Sequence, residues 1–203
     1  MTAIILAGGK SSRFGSDKAF IEIDGIPLIK RQLKLLKKVF KKIIIVTNQP
    51  QKYRFRNVKI AQDILKNLGP LAGIYSGLMA SSSFYNFVIA CDMPFINKPL
   101  IRYIIDCKDN YDIIIPKLKQ KFHPLFGVYS KNCITVIKNM LEHNRLKVSN
   151  IFPRLKTRFI LTDELERLDK ELISLVNINT RDDLRMVKRE GWIPICQNQH
   201  SQI

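Results

Sequence analysis

Short apolar runs rich in β-branched residues alternate along the chain with longer segments whose apolar residues recur every three or four positions. A short, continuously apolar run predicts a strand that is buried on both faces of a sheet. The longer segments predict helices with one apolar stripe, as in the first of them, where the stripe is Ile29, Leu33, Leu36 and Phe40. The predicted strands are residues 3–6, 43–47, 87–90, 112–115 and 175–178, and the predicted helices are residues 27–40, 71–81, 98–107, 131–143 and about 181–190. Thr180 and Asp183 have the spacing of a capping box and predict where the last helix begins.

The alternation of strand and helix predicts an α/β fold in which a mostly parallel sheet carries helices on both faces. Ligands bind such sheets at the carboxyl ends of the strands, so polar residues directly after the predicted strands are candidates for a site. Residues 117–130 depart from the alternation, and we expect residues 122–129 to form an antiparallel strand at the sheet edge. The sequence has no internal repeat, low-complexity tract or linker, which predicts a single domain, residues 1–195, and a flexible C-terminal tail, residues 196–203.

Composition narrows the class of protein. The chain has 203 residues, of which 46% are apolar, and a domain of this length can bury a core without disulfides. The N-terminal sequence lacks the basic start of a signal peptide, and no run approaches the roughly 18 apolar residues of a membrane-spanning helix. We therefore expect a cytoplasmic protein without a membrane partner. The four cysteines are widely spaced and form no CxxC pair, which favours reduced structural thiols over a metal site.

The formal net charge of +17 is high for a chain of this length. Its densest stretch, residues 30–42, lies on the first predicted helix, where the lysines fall mainly on the side opposite the apolar stripe. A solvated basic face explains this placement, and a positive field that attracts anionic substrates is a compatible second interpretation. Nucleic-acid binding is a third interpretation, but no recognisable nucleic-acid-binding module accompanies the charge. We expect no specific nucleic-acid partner.

A glycine-rich segment follows the first predicted strand and carries two cations. Glycines let backbone N–H groups approach phosphate oxygens closely, and a loop of such donors forms an anion-binding nest. Arg13 suits forked contact with phosphate, and Lys18 provides a compact charge. The segment is neither a Walker A motif nor a GxGxxG motif, since Gly8 and Gly9 are adjacent. It predicts a phosphate-binding loop that starts with Leu6, Ala7, Gly8 and Gly9.

Four motifs, in order, resemble those of the nucleotidyltransferases typified by molybdenum cofactor guanylyltransferase. They are LAGGKSSRFGSDK at residues 6–18, Asp63 followed by GPLAG at residues 69–73, CDMPF at residues 91–95, and VNINTRDDL at residues 176–184. The resemblance covers residues 1 to about 190, with Phe14 where the family usually has methionine. It implies a Rossmann-like α/β fold of the nucleotidyltransferase type and a Mg²⁺ cofactor. It also implies that GMP is transferred from GTP to the terminal phosphate of molybdenum-molybdopterin, with release of pyrophosphate.

The resemblance also assigns roles on the nucleotide side. Asp92 matches the family's metal-binding aspartate, and Mg²⁺ binds through one or two carboxylates plus substrate phosphates. Arg13 and Lys18 are expected to neutralise phosphate charge, so these two residues and Asp92 are the predicted catalytic set. Asp63 matches an aspartate that contacts the nucleotide, and Asn48 is expected near the base or ribose. The predicted nucleotide-binding set is Leu6, Ala7, Gly8, Gly9, Lys18, Asn48, Asp63, Gly73 and Asp92.

Polar residues in the C-terminal half form the predicted acceptor side. Asn177 and Asn179 alternate along the last predicted strand, so both side chains can face the same side. Related nucleotidyltransferases often carry an acid here, whereas amides match the guanylyltransferase branch. His123 stands in a His-Pro pair like that of the family near the acceptor pocket, and Arg145 and Lys147 stand where the family has basic residues facing the acceptor. Turn formation by the asparagines and a solvated surface position for Arg145 remain alternatives.

Other functions stay open at this point. A related transferase could use CTP, or a sugar or polyol phosphate as acceptor, although Gly9 leaves room for a purine edge. A non-catalytic nucleotide sensor and a basic nucleic-acid-binding protein belong to different classes, and the presence of both Arg13 and Asp92 disfavours the sensor. The expected partners are GTP, the molybdopterin acceptor and, transiently, other molybdenum cofactor enzymes. The expected oligomeric state is a monomer.

Overall fold

The computed structural model of the chain describes residues 1–8, 17–65, 68–180, 182–183 and 185–186. The strands are β1 (Thr2–Leu6), β2 (Glu22–Ile23), β3 (Ile26–Pro27), β4 (Lys42–Thr47), β5 (Lys59–Gln62), β6 (Tyr85–Ala90), β7 (Ile113–Leu118), β8 (Lys121–Phe122), β9 (Phe126–Ser130) and β10 (Thr157–Leu161). The α-helices are α1 (Leu28–Leu36), α2 (Pro70–Ala80), α3 (Lys98–Asp106), α4 (Cys133–Glu142) and α5 (Thr162–Glu166). Short 3₁₀ helices span Lys18–Phe20, Pro50–Lys52, Val148–Arg154 and Ile173–Leu175.

One sheet organises the molecule. Its strands lie in the order β10-β7-β9-β6-β1-β4-β5, and β8 pairs with β7. The pairs of β1 with β4, β1 with β6, β4 with β5 and β7 with β10 are parallel, whereas β9 runs antiparallel between β6 and β7. Strands β2 and β3 form a separate hairpin. The prediction of an α/β fold with a mostly parallel sheet is confirmed.

Each face of the sheet is covered by its own pair of helices. In β1, Ala3 and Ile5 belong to the apolar cluster that contains Ile29, Leu33 and Leu36 of α1 and the buried residues of α3. Ile4 and Leu6 point the other way and belong to the cluster that contains the buried residues of α2 and α4. Successive residues of the strand therefore pack into two different apolar cores, because side chains alternate between the faces of a sheet. This explains why β1 is buried at every position and apolar from Ala3 to Leu6.

Helix α2 lies close to the sheet, and the two glycines that face β1, Gly73 and Gly77, make this possible. A Cβ added to Gly77 would lie 2.5 Å from Ile4 Cγ2, so only glycine fits between the helix and β1. The helix starts after Gly69, whose φ of 77° is a conformation that glycine adopts without strain. Gly73 lies against Leu6, with 3.4 Å from its added Cβ to Leu6 Cδ2. The first turn of α2 is thereby brought to the carboxyl end of β1.

The predicted strand at residues 175–178 is wrong. The chain there forms the 3₁₀ helix Ile173–Leu175 and continues in an extended conformation without pairing to a strand. One backbone bond and one side-chain bond instead attach this segment to the turn after β6. Ile178 N donates to Asp92 O at 2.8 Å, and Asn177 Nδ2 donates to Asp92 Oδ1 at 2.9 Å.

The antiparallel strand predicted at residues 122–129 exists as β9, but its predicted place at the sheet edge is wrong. It lies between β6 and β7 and is buried at every position. Gly127 allows the close pairing, since a Cβ there would lie 2.3 Å from Ile114 O. The sequence analysis missed the edge strands β5 and β10, which are partly exposed and therefore carry polar residues that interrupt an apolar run.

The parallel strands bring their carboxyl ends to one edge of the sheet. Because β6, β1, β4 and β5 are neighbours in that order, the residues that follow them lie in the order Asp92, Gly8, Asn48 and Asp63 along this edge. Strand β9 begins at the same edge because it runs the other way, so His123 also lies there. The fold thus places these five candidate residues in one row.

The end of the described chain supports one local prediction. Asp183 N donates to Thr180 Oγ1 at 3.0 Å and Thr180 N donates to Asp183 Oδ2 at 2.8 Å, which is the predicted capping box. Most of the predicted last helix and the predicted tail, residues 196–203, lie outside the described residues. Within the described part of the chain, no helix is long and apolar enough to cross a membrane. Cys91, Cys107 and Cys133 are free thiols.

Candidate active site

Four polar side chains from three distant parts of the chain meet beside the carboxyl end of β6. Lys18 Nζ donates to Asn179 Oδ1 at 2.7 Å and lies 3.5 Å from Asp92 Oδ2. Asn177 Nδ2 donates to Asp92 Oδ1 at 2.9 Å. The sequence analysis placed Lys18 and Asp92 on the nucleotide side and the asparagines on the acceptor side. The structure brings all four into one hydrogen-bonded group, called here the polar centre.

The backbone around Asp92 is fixed from two sides. Cys91 N donates to Leu6 O at 3.1 Å, which extends the pairing of β6 with β1 beyond the last strand residue. Ile178 N donates to Asp92 O at 2.8 Å, so the C-terminal segment is tied to the same turn. The Asp92 side chain keeps an exposed fraction of 14%, which leaves its carboxylate within reach of a ligand.

Burial and nearby charge act on Asp92 in opposite directions. Burial raises the pKa of its carboxyl group, because the charged form is poorly solvated there, whereas Lys18 and the Asn177 amide oppose the rise. An additional cation would stabilise the charged form of a carboxylate whose pKa is raised in this way. The polar centre therefore favours a positively charged ligand close to Asp92.

Lys18 is held in place through the residue before it. Asp17 caps the 3₁₀ helix Lys18–Phe20 by accepting from Ala19 N at 3.2 Å. The buried Tyr53 hydroxyl donates to the other carboxylate oxygen, Asp17 Oδ2, at 2.9 Å. Asp17 is thus anchored to the segment that follows β4, and the Lys18 ammonium group extends from an ordered position.

The nucleotide-side residues of β4 and β5 are also placed by hydrogen bonds. Ser76 Oγ of α2 donates to Asp63 Oδ1 at 2.7 Å, which holds this carboxylate against the helix. Asn48 lies close to Gly8, since a Cβ added to Gly8 would lie 3.9 Å from Asn48 Nδ2. Asn48 Oδ1 is buried and has no hydrogen-bond partner among the described residues. Such an atom is an acceptor that a bound ligand can satisfy.

Two predicted residues of the phosphate-binding loop cannot be placed. Gly9 and Arg13 fall within residues 9–16, which lie outside the described residues. The described ends of this loop, Gly8 and Asp17, lie at the carboxyl end of β1 and next to Lys18. The roles assigned to Gly9 and Arg13 stay predictions.

A cleft of about 680 Å³ opens on the other side of the polar centre. It lies between the β7–β9 connection and the segment 171–179, and it is mostly apolar with a few polar groups. Three predicted acceptor residues, His123, Asn177 and Asn179, line it. The remaining lining residues are Met93, Leu118, Lys121, Phe122, Pro124, Leu125, Glu171, Leu172, Leu175 and Val176.

His123 is the buried polar residue of this cleft. Burial, assisted by the nearby positive charge of Lys121, lowers the pKa of the imidazole to about 4. The ring is therefore neutral near pH 7 and can take part in hydrogen bonds but supplies no charge. Its Nε2 atom is buried without a hydrogen-bond partner among the described residues.

The structure does not bring every predicted acceptor residue to the cleft. Arg145 and Lys147 are exposed residues after α4, and neither is among the residues that line the cleft. Their acceptor role stays a prediction that the cleft geometry does not support. The apolar lining, including Phe122, Leu172 and Leu175, was missed, because an apolar residue carries no chemical signal of a binding site in a single sequence.

The oxygen atoms at the polar centre suit Mg²⁺. They suit a metal ion that takes all its ligands from the protein less well. Asp92 supplies one carboxylate, and the Asn179 amide oxygen, which accepts from Lys18, is a further oxygen atom of the polar centre. The described residues contain no group of three or more His, Cys, Asp or Glu side chains that could hold a metal ion by themselves. A single hard carboxylate fits an ion that keeps water ligands and is completed by substrate phosphates.

Most of the chain is similar to proteins of one family. Residues 3–156 match the family described as MobA-like NTP transferase domain. A molybdenum cofactor guanylyltransferase from Desulfosudis oleivorans is 38% identical over 186 residues, which cover 91% of this chain and 92% of that protein. A probable molybdenum cofactor guanylyltransferase from Natranaerobius thermophilus is 36% identical over 195 residues, covering 93% of this chain and 95% of that protein.

A solved structure shows the same relationship. The molybdopterin-guanine dinucleotide biosynthesis protein A from Archaeoglobus fulgidus superposes with a TM-score of 0.82 and is 26% identical. The matched region covers 95% of this chain and 99% of that protein.

Proposed function

The chain belongs to the MobA-like NTP transferase family, and from this premise we propose that it is a Mg²⁺-dependent guanylyltransferase. It transfers GMP from GTP to the terminal phosphate of molybdenum-molybdopterin, forms the guanine dinucleotide cofactor and releases pyrophosphate. The observation that carries this proposal is the polar centre, in which Lys18 and Asp92 lie between a row of nucleotide-side residues and an apolar cleft. One substrate fits on each side, and the phosphates of both meet in the middle.

On the nucleotide side, the carboxyl ends of β1, β4 and β5 receive the GTP. Asn48 Oδ1, a buried acceptor without a partner in the described structure, would accept from the N1–H or N2–H₂ groups of guanine. Adenine has no donor at these two positions, so the same atom selects GTP over ATP. Asp63 is held by Ser76 and is available for the sugar or base through its remaining acceptor sites.

At the polar centre, the chain supplies charge and position. The Lys18 ammonium group binds phosphate oxygens and lowers the repulsion between the acceptor phosphate and the triphosphate. Asp92 would hold Mg²⁺ together with phosphate oxygens, and the ion, when bound, supplies further positive charge to them. Asn177 orients the Asp92 carboxylate through its amide, and Asn179 orients Lys18. No general base is required, since a phosphate monoester is largely ionised at pH 7. The predicted contact of Arg13 with the developing charge completes this set.

On the acceptor side, the cleft takes the pterin part of the acceptor. Its volume of about 680 Å³ and its mostly apolar lining suit a flat heterocycle, because small-molecule sites are commonly apolar with few convergent polar groups. The neutral His123 ring would form a hydrogen bond to the pterin edge. Asn177 and Asn179 line the cleft and also belong to the polar centre, so they mark where the acceptor phosphate enters it.

The direct test is product formation by the purified protein. Incubation with Mg²⁺, molybdenum-molybdopterin and GTP should yield the guanine dinucleotide and pyrophosphate, detected by mass spectrometry and a pyrophosphate assay. Parallel reactions with ATP and CTP should give little or no dinucleotide. Equal product from CTP would contradict the proposed substrate, and pyrophosphate release without any dinucleotide would contradict the proposed acceptor.

A further inference from the structure

Helix α1 carries one polar residue on its buried face. Gln32 is fully buried on the side of the helix that carries the apolar stripe, where Ile29, Leu33 and Leu36 are also buried. A buried amide on such a stripe is unfavourable unless its polar atoms are bonded, because it loses its hydrogen bonds to water. An apolar residue would serve the core better at this position.

The Gln32 amide group bridges two carbonyl oxygens on either side of Asp92. Gln32 Nε2 donates to Ala90 O at 2.7 Å and to Met93 O at 2.8 Å. The backbone bond that closes the same turn, from Met93 N to Ala90 O, is longer at 3.4 Å. The side chain of a helix on one face of the sheet thus ties together the two ends of the turn that presents Asp92.

The oxygen atom of the Gln32 amide lowers the stability of the fold. Gln32 Oε1 is buried and has no hydrogen-bond partner among the described residues. A residue selected only for stability would not leave an acceptor in this state, since an unsatisfied buried polar atom is destabilising. The benefit must lie with the two N–H groups, and both of them hold the Asp92 turn.

We propose that Gln32 is a positioning residue for Asp92, whose amide bridge sets how tightly the Asp92 carboxylate holds the divalent ion. The inference rests on the proposed metal role of Asp92 and goes beyond it. Gln32 does not touch substrate or ion, because it is enclosed in the core under the turn. Partners outside the ligand shell commonly change metal affinity by about 10–100-fold through the ligand that they hold.

The test compares metal binding in two helix variants. Methionine has a length similar to that of glutamine but lacks the amide. Gln32→Met therefore leaves the core filled and removes both side-chain bonds to the Asp92 turn, together with the unsatisfied oxygen. Leu36→Ala, one helical turn further along the same buried face, weakens the core without touching the turn. Mn²⁺ binding in the presence of GTP is titrated by electron paramagnetic resonance, and GTP binding in EDTA is measured by calorimetry.

We expect Gln32→Met to weaken Mn²⁺ binding about tenfold and to leave GTP affinity in EDTA unchanged. The Leu36→Ala variant should melt at a lower temperature but bind Mn²⁺ like the unmodified protein. Wild-type Mn²⁺ affinity in Gln32→Met, or an equal loss in both variants, would overturn the inference. If the unmodified protein itself bound no Mn²⁺ with GTP, the proposed metal role would fail instead, so the two failures are distinguishable.

A measurement on the unmodified protein covers the case in which Gln32→Met does not fold. The side-chain amide signals of Gln32 in a ¹⁵N-labelled sample report directly on its two carbonyl partners. Addition of Mg²⁺ and GTP should shift these signals, and the metal-dependent part of the shift should vanish in Asp92→Asn. Signals that remain in place while the metal and nucleotide bind would overturn the inference.

Discussion

The polar centre and the cleft lie side by side at the same edge of the sheet but are built on opposite principles. In the polar centre, side chains that are far apart in sequence pair with one another, as Lys18 does with Asn179 and Asn177 does with Asp92. In the cleft, the lining is mostly apolar, and the buried His123 Nε2 has no partner within the described structure.

The difference indicates a division of labour between the two regions. The side chains of the polar centre neutralise and position phosphate groups, so substitutions there should lower the rate of the transfer reaction itself. The cleft is arranged for shape and a few hydrogen bonds, so its variants should change the apparent affinity for the acceptor and leave the nucleotide side alone. Substitutions in each region can therefore break or sharpen the comparison.

The largest effect is expected for Asp92→Asn. The substitution keeps the size of the side chain but removes the one carboxylate of the polar centre, so kcat/KM should fall by on the order of 10³. Initial rates over a range of Mg²⁺ concentrations measure this loss. Asp109→Asn, at a side chain that is 80% exposed, is the matched control and should behave like the unmodified protein. Near-normal rates for Asp92→Asn at limiting Mg²⁺ would show that the metal is held elsewhere.

A smaller but still large loss is expected for Lys18→Ala. Removal of this charge should weaken GTP binding and lower kcat/KM by about 10², because one preorganised charge contact to the phosphates is lost. Lys138→Ala, on the exposed side of α4, provides the control. Binding titrations with GTP and with acceptor separate the two sides. A Lys18→Ala variant that binds GTP normally and loses only acceptor affinity would show that Lys18 contacts the acceptor and not the triphosphate.

A moderate effect confined to the acceptor is expected for His123→Gln. Loss of one hydrogen bond to the pterin should raise the KM for the acceptor about tenfold, equivalent to about 1.4 kcal/mol, with the KM for GTP unchanged. Arg145→Ala decides between the resemblance and the cleft geometry. We expect its acceptor KM to stay at the value of the unmodified protein, because Arg145 does not line the cleft. The reverse result for the two variants would move the acceptor site to the surface after α4.

The last effect concerns acid stability and leaves the activity near pH 7 out of account. Burial holds the pKa of His123 at about 4 in the folded state, below its ordinary value of 6.5. The unfolded chain therefore binds more protons between pH 6.5 and 4, and the free energy of unfolding falls as pH falls through this window. His123→Gln should remove roughly 2 kcal/mol of this fall in urea titrations. His143→Gln, at an exposed histidine, should leave it in place, and equal acid sensitivity in both variants would contradict a buried neutral His123.

The same comparison explains how far the sequence could predict the site. On the nucleotide side, Asp92 and Asn48 follow apolar runs that form the two parallel strands on either side of β1, so their common edge could be inferred from the pattern. The pairing of Asn177 and Asn179 with this edge could not, because their segment is not a strand and is placed by long-range bonds to the Asp92 turn. The resemblance alone had indicated that they belong to the site.

The cleft was less predictable. Phe122 of β8 and Leu172 come from distant parts of the chain, and nothing in a single sequence distinguishes such residues from other parts of the core. Gln32 was hidden for a related reason, because it is a polar residue within an apolar stripe whose partners lie 58 and 61 positions away. Long-range contacts, and not local pattern, place all of these side chains.

The account is tested most directly by a crystal structure of the protein with Mg²⁺ and the molybdopterin guanine dinucleotide product. The pyrophosphate bridge should lie at the polar centre, within contact distance of Lys18 and the ion on Asp92. The guanine should lie next to Asn48, and the pterin should fill the cleft beside His123. A dinucleotide whose bridging phosphates lie away from Lys18 and Asp92, or whose pterin leaves the cleft empty, would contradict the central claim that GMP transfer occurs between these two regions.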